Sequence, residues 1–513
     1  MTTTADPAGA AAEALPTGRR AVRRQRTVLA VTCACVLVLQ SLVAAINLAI
    51  AEISGGRLRP SSAELLWIVD AYVIVFACLL IPAGMLGDRF GRKGMLLTGI
   101  AVFGAGALIS ALATGVPVLI AGRGVSGAGA ALAMPASMSV LVHVTPAARR
   151  ASAIASWSAC VALGGVVGYA GGALILQAFS WQGLFWAYVP ASALLLAVTA
   201  AVAPRVPHGS GSLDLVGAAL LVGGLVPLLF GIIEGPELGW SSGVVLGSFA
   251  ASALLLTLFV RYELRARVVL LDPRLFRLPA VRAGTIGVGA VFFGMFTLFF
   301  VNAQFLQYVK GYSPLRTGFA IVPMAVGMGL ATRLSVGWAR RFGERRVVGC
   351  GLLLLIAGLL ALSTATHATP YLLYTTWLMV LAAGSGMAMP SLSAGILAAL
   401  PPHRAGMGSG LNGAARELGA ALGVAGVGTV LSVRFTGRLP AELAGESHST
   451  SAALAAAAER SDRLHAAAVR GFTEAVAVGY QCAAALLLLL SVAVLWQRRG
   501  APSRPKAQTR TAA

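Results

Sequence analysis

Apolar runs, each long enough to cross a bilayer, recur fourteen times along the chain, separated by short polar connectors. They fall near 27–50, 64–86, 95–113, 116–142, 152–177, 181–203, 213–234 and 240–260, then near 284–307, 317–338, 347–366, 370–400, 405–433 and 468–496. A spanning helix needs ~20 predominantly apolar residues. Several runs contain Gly or Pro, which membrane helices tolerate better than soluble ones. The pattern predicts an all-α polytopic membrane protein with 14 transmembrane helices. An even number of spans leaves both termini on one side.

Composition points the same way. Of 513 residues, 58% are hydrophobic and only 11% charged, and the mean hydropathy is +0.83. Soluble chains carry roughly 25% charged residues, so an ordinary cytosolic enzyme and a disordered chain are both excluded. The net charge of +21 would suggest nucleic acid in a soluble domain. Here no basic segment is long enough to fold alone, and the excess is better read as orientation. With the N-terminus in the cytoplasm, 27 of the 39 Lys and Arg lie inside, nine outside, and Arg123, Arg333 and Arg416 within spans. Arg19, Arg20, Arg23, Arg24 and Arg26 precede the first run, which exceeds a signal-peptide core of 7–15 residues. It is expected to stay as the first helix. All six cysteines lie inside apolar runs without a C-x-x-C pair, and read as packing residues.

The chain repeats itself. Arg89-Phe90-Gly91 recurs as Arg341-Phe342-Gly343, Ala133-Met134-Pro135 as Ala388-Met389-Pro390, and Pro146 with Arg150-Ala151 as Pro402 with Arg404-Ala405, at offsets of 252 to 256 residues. Each pair falls in the same span or loop of a six-helix set. The expected organisation is a cytoplasmic tail 1–26 and a six-helix bundle 27–203, then two inserted helices with a linker over 204–283. A second six-helix bundle 284–496, with an extracellular loop 434–467, precedes a tail 497–513. Parallel six-helix repeats of this kind build one large class of transporters.

Between spans 2 and 3 stands Gly84-Met85-Leu86-Gly87-Asp88-Arg89-Phe90-Gly91-Arg92-Lys93. Glycines permit a tight turn and close approach, and one acid among bases forms a switchable ion-pair cluster. This string resembles the G-x-L-G-D-R-x-G-R-K loop of the major facilitator superfamily. With fourteen spans and Trp67-Ile68-Val69-Asp70-Ala71-Tyr72, the chain is similar to that family's fourteen-helix drug:proton antiporter branch over roughly residues 27–433. The resemblance implies a cytoplasmic gate made by Gly84, Gly87, Asp88, Arg89, Gly91, Arg92 and Lys93, with Asp88 pivotal and Arg89 and Arg92 its partners. In the second copy Arg340 replaces the acid.

Charges inside spans are costly and so carry function by default. Arg123 and Gly127 match the family's R-x-x-Q-G, with Ser126 in place of Gln. The resemblance gives Arg123 a part in proton coupling; a permanent ion pair that fixes helix packing is the other reading. Asp70, ~9 Å deep, and Arg123, ~10 Å deep, lie at one level. Asp70 is therefore either a proton carrier paired with Arg123 or a polar cap near the interface. Ser61 with Glu64 reads as a capping box. Gly164, Gly168 and Gly172 form a small-residue face and match the family's antiporter motif, whereas Tyr169 replaces its proline and Ala173 its last glycine. The first-helix motif survives only as Asn47-Leu48-Ala49-Ile50, with Leu42 where an acid belongs. Arg416 and Glu417 lie ~18 Å into span 13, and both are candidates for proton coupling. Glu417 is a second proton or cationic-substrate candidate, or else a member of a structural ion pair. Asn47, Asn302, Gln304, Tyr374, Trp377 and Asn412 are candidates to line a cavity, or packing residues. Arg333 can snorkel from its span end.

No Walker loop, metal-protease motif or nucleophile elbow occurs, and no cofactor, metal or ATP is expected. The leading expectation is a proton-coupled exporter of an amphipathic small molecule in a bacterial cell membrane, with no enzymatic activity. A symporter on the same fold is the alternative, and a transporter-like receptor a more distant one.

Overall fold

The computed structural model describes residues 19–204, 214–266, 269–400, 405–440, 442–443 and 450–497, and no strand occurs among them. The first eight helices are α1 (Arg19–Gly55), α2 (Ser62–Phe90), α3 (Arg92–Ala111), α4 (Val116–Val144), α5 (Ala147–Ala178), α6 (Trp181–Val202), α7 (Leu215–Leu238) and α8 (Gly243–Glu263). Next come α9 (Pro279–Gln304), extended by a π-helical turn over Phe305–Val309, then the short α10 (Pro314–Ala320) and α11 (Val322–Phe342), which together make one span. The chain continues through α12 (Glu344–Leu362), α13 (Tyr371–Ala398), α14 (Ala405–Thr436), α15 (Thr450–Arg460) and α16 (Asp462–Gln497). Among the described residues thirteen spans are long and apolar enough to cross a membrane. The 32-residue α5 stands where the remaining expected span falls, and is apolar over the shorter stretch Leu163–Ala178. Residues 1–18 and 498–513 of the tails, and part of the loop 434–467, lie outside the described residues.

Local chemistry sets the helix ends. The Ser61 hydroxyl accepts the Glu64 N–H at 3.2 Å, and the Glu64 carboxylate accepts the Ser61 N–H at 2.9 Å, so the capping box is formed. Gly91, between α2 and α3, has φ +95°, and Gly343, between α11 and α12, has φ +89°. The repeated Arg-Phe-Gly thus makes the same turn twice, in a conformation that side chains resist.

Small residues let the helices touch. A Cβ on Gly99 of α3 would lie 2.5 Å from the Ala133 nitrogen of α4, and one on Gly129 would lie 2.3 Å from the Phe103 nitrogen. The pair α12 and α13 repeats this: Gly351 would meet the Ala388 nitrogen at 2.9 Å and Gly384 the Leu355 nitrogen at 2.4 Å. The first group of helices packs as α1 on α5 and α6, and α3 on α4 and α6; the later group packs α9 on α13, α14 and α16, and α12 on α13. The two groups meet along α2 with α14 and at α5 with α10, and α7 touches both α2 and α14.

We call the end from which α1 rises the tail end and the opposite end the far end. The far end is closed. The Gln307 amide donates to the Leu48 carbonyl at 3.2 Å, Gly318 packs on the Tyr169 carbonyl, and Leu66 fills the space beside Gly428. The cavity left there, lined by Ser54, Leu66, Gln304, Tyr308 and Thr450, measures about 20 Å³, room for about one water. At the same end, past the π-helical turn, Lys310 donates to the carbonyls of His367 and Thr369. Burial, then the charge of Arg316, holds that ammonium below its ordinary pKa.

Candidate functional site

Arg123 is fully buried on α4, because Gly127, one turn on, lets α4 lie against the Tyr72 backbone of α2; a Cβ there would be 2.4 Å from the Tyr72 carbonyl. At this distance the guanidinium reaches the α2 backbone. Its Nε donates to the Ile68 carbonyl at 2.9 Å and one Nη to the Val69 carbonyl at 3.1 Å, and its carbon sits 5.2 Å from the Tyr72 ring centroid. The other Nη has no hydrogen-bond partner. Asp70, the next residue along, is also fully buried, and neither of its carboxylate oxygens accepts a hydrogen bond. Arg123 therefore sits at the turn of α2 that carries Asp70, within electrostatic reach of it, without forming a direct ion pair. Ser126, standing where the family has Gln, turns to α3, where its hydroxyl donates to the Phe103 carbonyl at 3.4 Å.

Across the seam, α14 carries Arg416 and Glu417 facing different ways, as neighbours ~100° apart must. The Arg416 guanidinium lies 4.7 Å from the Phe292 centroid, at one end of a ladder through Phe296 and Phe299 to Tyr169. Its Nε is unpartnered. Glu417 is buried and makes no ion pair among the described residues, and Tyr72 is within electrostatic reach of both Glu417 and Arg123.

The uncharged candidates divide. Tyr374 stacks on Phe305 at 5.6 Å and donates to the Asn302 side-chain oxygen at 2.7 Å, leaving the Asn302 nitrogen free. Asn47 and Gln304 turn back onto carbonyls of their own helices. Asn47 keeps a buried, unpartnered oxygen, as does the half-buried Asn412. Trp377 packs half-buried against the apolar core. Gly164, Gly168 and Gly172 all lie on α1: their Cβ atoms would meet Gln40 at 2.5 Å, the Ser41 carbonyl at 2.1 Å and Ala45 at 3.1 Å. Tyr169, in the place of proline, donates to the Phe299 carbonyl of α9 at 2.6 Å and so joins the two groups of helices.

In the α2–α3 loop the turn belongs to Gly91. A Cβ on Gly84 or Gly87 would meet nothing within 4 Å, so neither glycine serves a close approach in this conformation. Lys93 donates to the Ala200 carbonyl at the end of α6 at 2.8 Å, and Arg89 is exposed. Arg92 opens α3 half-buried, and the Asp88 side chain lies outside the described residues.

Sequence reasoning passed over the partners of Arg123. The carbonyls of Ile68 and Val69 carry no sequence signal, whereas Tyr72 was visible within the string around Asp70. It also passed over α7, whose Glu234 accepts the Trp67 indole N–H at 2.8 Å and whose Glu237 accepts the Ala63 N–H at 3.0 Å. Two acids near the end of an apolar span were the available sign.

Known proteins bear on this arrangement. The chain is 33% identical over 389 residues to the cephamycin export protein CmcT of Amycolatopsis lactamdurans, covering 74% of this chain and 80% of that one. It is 32% identical over 395 residues to the methylenomycin A resistance protein of Streptomyces coelicolor, covering 76% and 83%. The crystal structure of a bacterial homologue of the human lysosomal transporter Spinster, inward-facing and unoccupied, superposes with a TM-score of 0.65 at 19% identity, covering 95% of this chain and 100% of that one. The family model described as Major Facilitator Superfamily matches residues 28–424. With most of its spans inside that match, the chain belongs to the major facilitator superfamily and is a multi-pass membrane transporter of small molecules.

Proposed function

We propose that the protein exports an amphipathic small molecule, an antibiotic or related secondary metabolite, against its gradient by taking protons the other way. The observation that carries the proton half of this reading is Asp70. It is a fully buried acid with no hydrogen-bond donor on either oxygen, one and two residues from the carbonyls that occupy Arg123. The surroundings of such a carboxyl decide whether it holds a proton, so exposing it to one side and then the other couples charge to conformation. Glu417 is the second acid of the pathway, where a proton and a cationic substrate compete, and Arg416 on its aromatic ladder shares in the coupling. The direction is supported by the relatives named for export and resistance.

In this reading the bundles 27–203 and 284–496 rock about the seam, and the Gly84–Lys93 loop closes the tail end when the far end opens. Both termini lie in the cytoplasm of a bacterium, as the distribution of Lys and Arg favours, and no ATP or nucleic acid is involved. Tyr169 in place of proline and Leu42 in place of an acid favour symport as the second reading. Proteoliposomes with an imposed pH gradient separate the two. Dye or antibiotic moving against the protons, and stopping with an uncoupler, establishes antiport; movement with the protons establishes symport. Asp70→Asn that still drives full uphill transport sinks the proposed role of Asp70.

A further inference from the structure

Besides α8, the inserted helix α7 packs on α2 and α14, and it is tied to these two by unequal means. Toward α2 it presents Phe230, Glu234 and Glu237, spaced four and three apart on one face. Phe230 meets the Trp67 ring at 6.3 Å, and Glu234 accepts the Trp67 indole N–H at 2.8 Å. Glu237 takes the Ala63 N–H at 3.0 Å and the Ser61 hydroxyl at 3.3 Å, at a helix N-terminus that favours negative charge. Toward α14 the hydrogen bond is neutral: the Thr429 hydroxyl donates to the Ile232 carbonyl at 2.9 Å. Carboxylate hydrogen bonds are roughly twice as strong as neutral ones. All these contacts lie at the closed far end, beside Leu66 and Gly428.

We propose that Glu234 and Glu237 fasten α7 to α2 as one moving unit, and that α7 straps α14 only while the far end is closed. The Thr429–Ile232 contact is then the one that parts. Trp67 lies three residues before Asp70, so Glu234 is also a positioning residue for the turn whose carbonyls hold Arg123. This rests on the rocking motion proposed above.

The test uses the full chain with its six cysteines replaced, in proteoliposomes exporting ethidium under a pH gradient. Disulfides are formed in three double variants: L66C/G428C across the seam, I232C/T429C between α7 and α14, and A63C/E237C between α7 and α2, which replaces one carboxylate tie by a covalent one and leaves Trp67 and Glu234 in place. The first two are expected to block export, with recovery on reduction, and the third to leave most of it. Export through a closed I232C/T429C disulfide while L66C/G428C blocks overturns the strap alone. Export through L66C/G428C overturns the rocking motion and the strap with it. Glu234→Ala should lower export about tenfold with protein levels unchanged, and Glu234→Gln, whose amide oxygen still accepts the indole N–H, should restore it. A Gln variant as poor as the Ala variant overturns the positioning role.

Discussion

The two helix groups share a scaffold and differ in their chemistry. Gly99, Gly106 and Gly129 have counterparts in Gly351, Gly358 and Gly384, at offsets of 252 residues on α3 and α12 and 255 on α4 and α13. On α5, Gly164 and Gly168 lie against the Leu37 and Ser41 carbonyls; on α14, Gly419 and Gly423 lie against those of Gly289 and Phe293, at the same two offsets. By those offsets Asp70, Tyr72 and Arg123 face Val322, Met324 and Leu378. The later group carries its buried charges elsewhere, at Arg416 and Glu417 of α14, where the first has Val161 and Ala162. Backbone approach was kept in both copies, and each copy holds its ionisable groups on non-equivalent helices. Gly164 and Gly168 of the antiporter motif therefore serve packing in both halves, which leaves Tyr169 and Gly172, with Val424 and Val427 at the matching positions, as the informative ones.

The comparison breaks most sharply at Arg123. Arg123→Ala should lower proton-driven export by at least about a hundredfold, because it removes charge-assisted hydrogen bonds worth roughly 1.5–3 kcal/mol each from a buried site. Leu378→Ala should keep export within about threefold, as proteoliposome flux would show. Equal losses would mean the asymmetry is only steric. Next in size is the pair of acids. Asp70→Asn is expected to abolish uphill export while substrate exchange without a gradient persists, and Glu417→Gln to reduce export of cations more than of neutral substrates. Loss of both exchange and uphill export in D70N would assign Asp70 to binding instead.

Packing should respond alike in the two halves. Gly168→Ala and Gly423→Ala force a methyl to within 2.1 and 2.5 Å of a carbonyl, and each is expected to cost about 1–3 kcal/mol, seen as similar drops in Tm of the purified protein. A drop in only one would show that the copies no longer share their load. The turns come last: Gly91→Ala and Gly343→Ala should each cost roughly 1–3 kcal/mol, the penalty for a side chain at positive φ with extended ψ, where glycine alone is at ease. Any further loss of export in Gly91→Ala measures what the acid-bearing loop adds to the turn.

The spans were legible because a membrane helix must be apolar over most of its length, and fourteen such runs leave little freedom of reading. The repeat was legible where Arg-Phe-Gly fixes a turn or Ala-Met-Pro a span. Its deeper layer was not, because Gly99 matching Gly351 means nothing until the facing carbonyls are known. The same limit governs the candidate site. Counting residues brings Arg123 level with Asp70, yet side-chain identity says nothing about backbone acceptors, and it is to the carbonyls of Ile68 and Val69 that the guanidinium donates. Glu234 and Glu237 were readable as charges near a span end, but their partners lie some 170 residues away on another helix, a pairing no local pattern encodes.

The closure at the far end has a consequence for the membrane rather than for the cargo. Protons cross proteins along chains of water and titratable side chains, and a cavity of about 20 Å³, with room for about one water, gives no water file through that end. In the proposed cycle, a copy at rest in this conformation therefore offers protons no water path through its far end. In that reading the tightness that Leu66, Gly428 and Gly318 give that end sets how many resting copies a membrane can hold without draining its proton gradient.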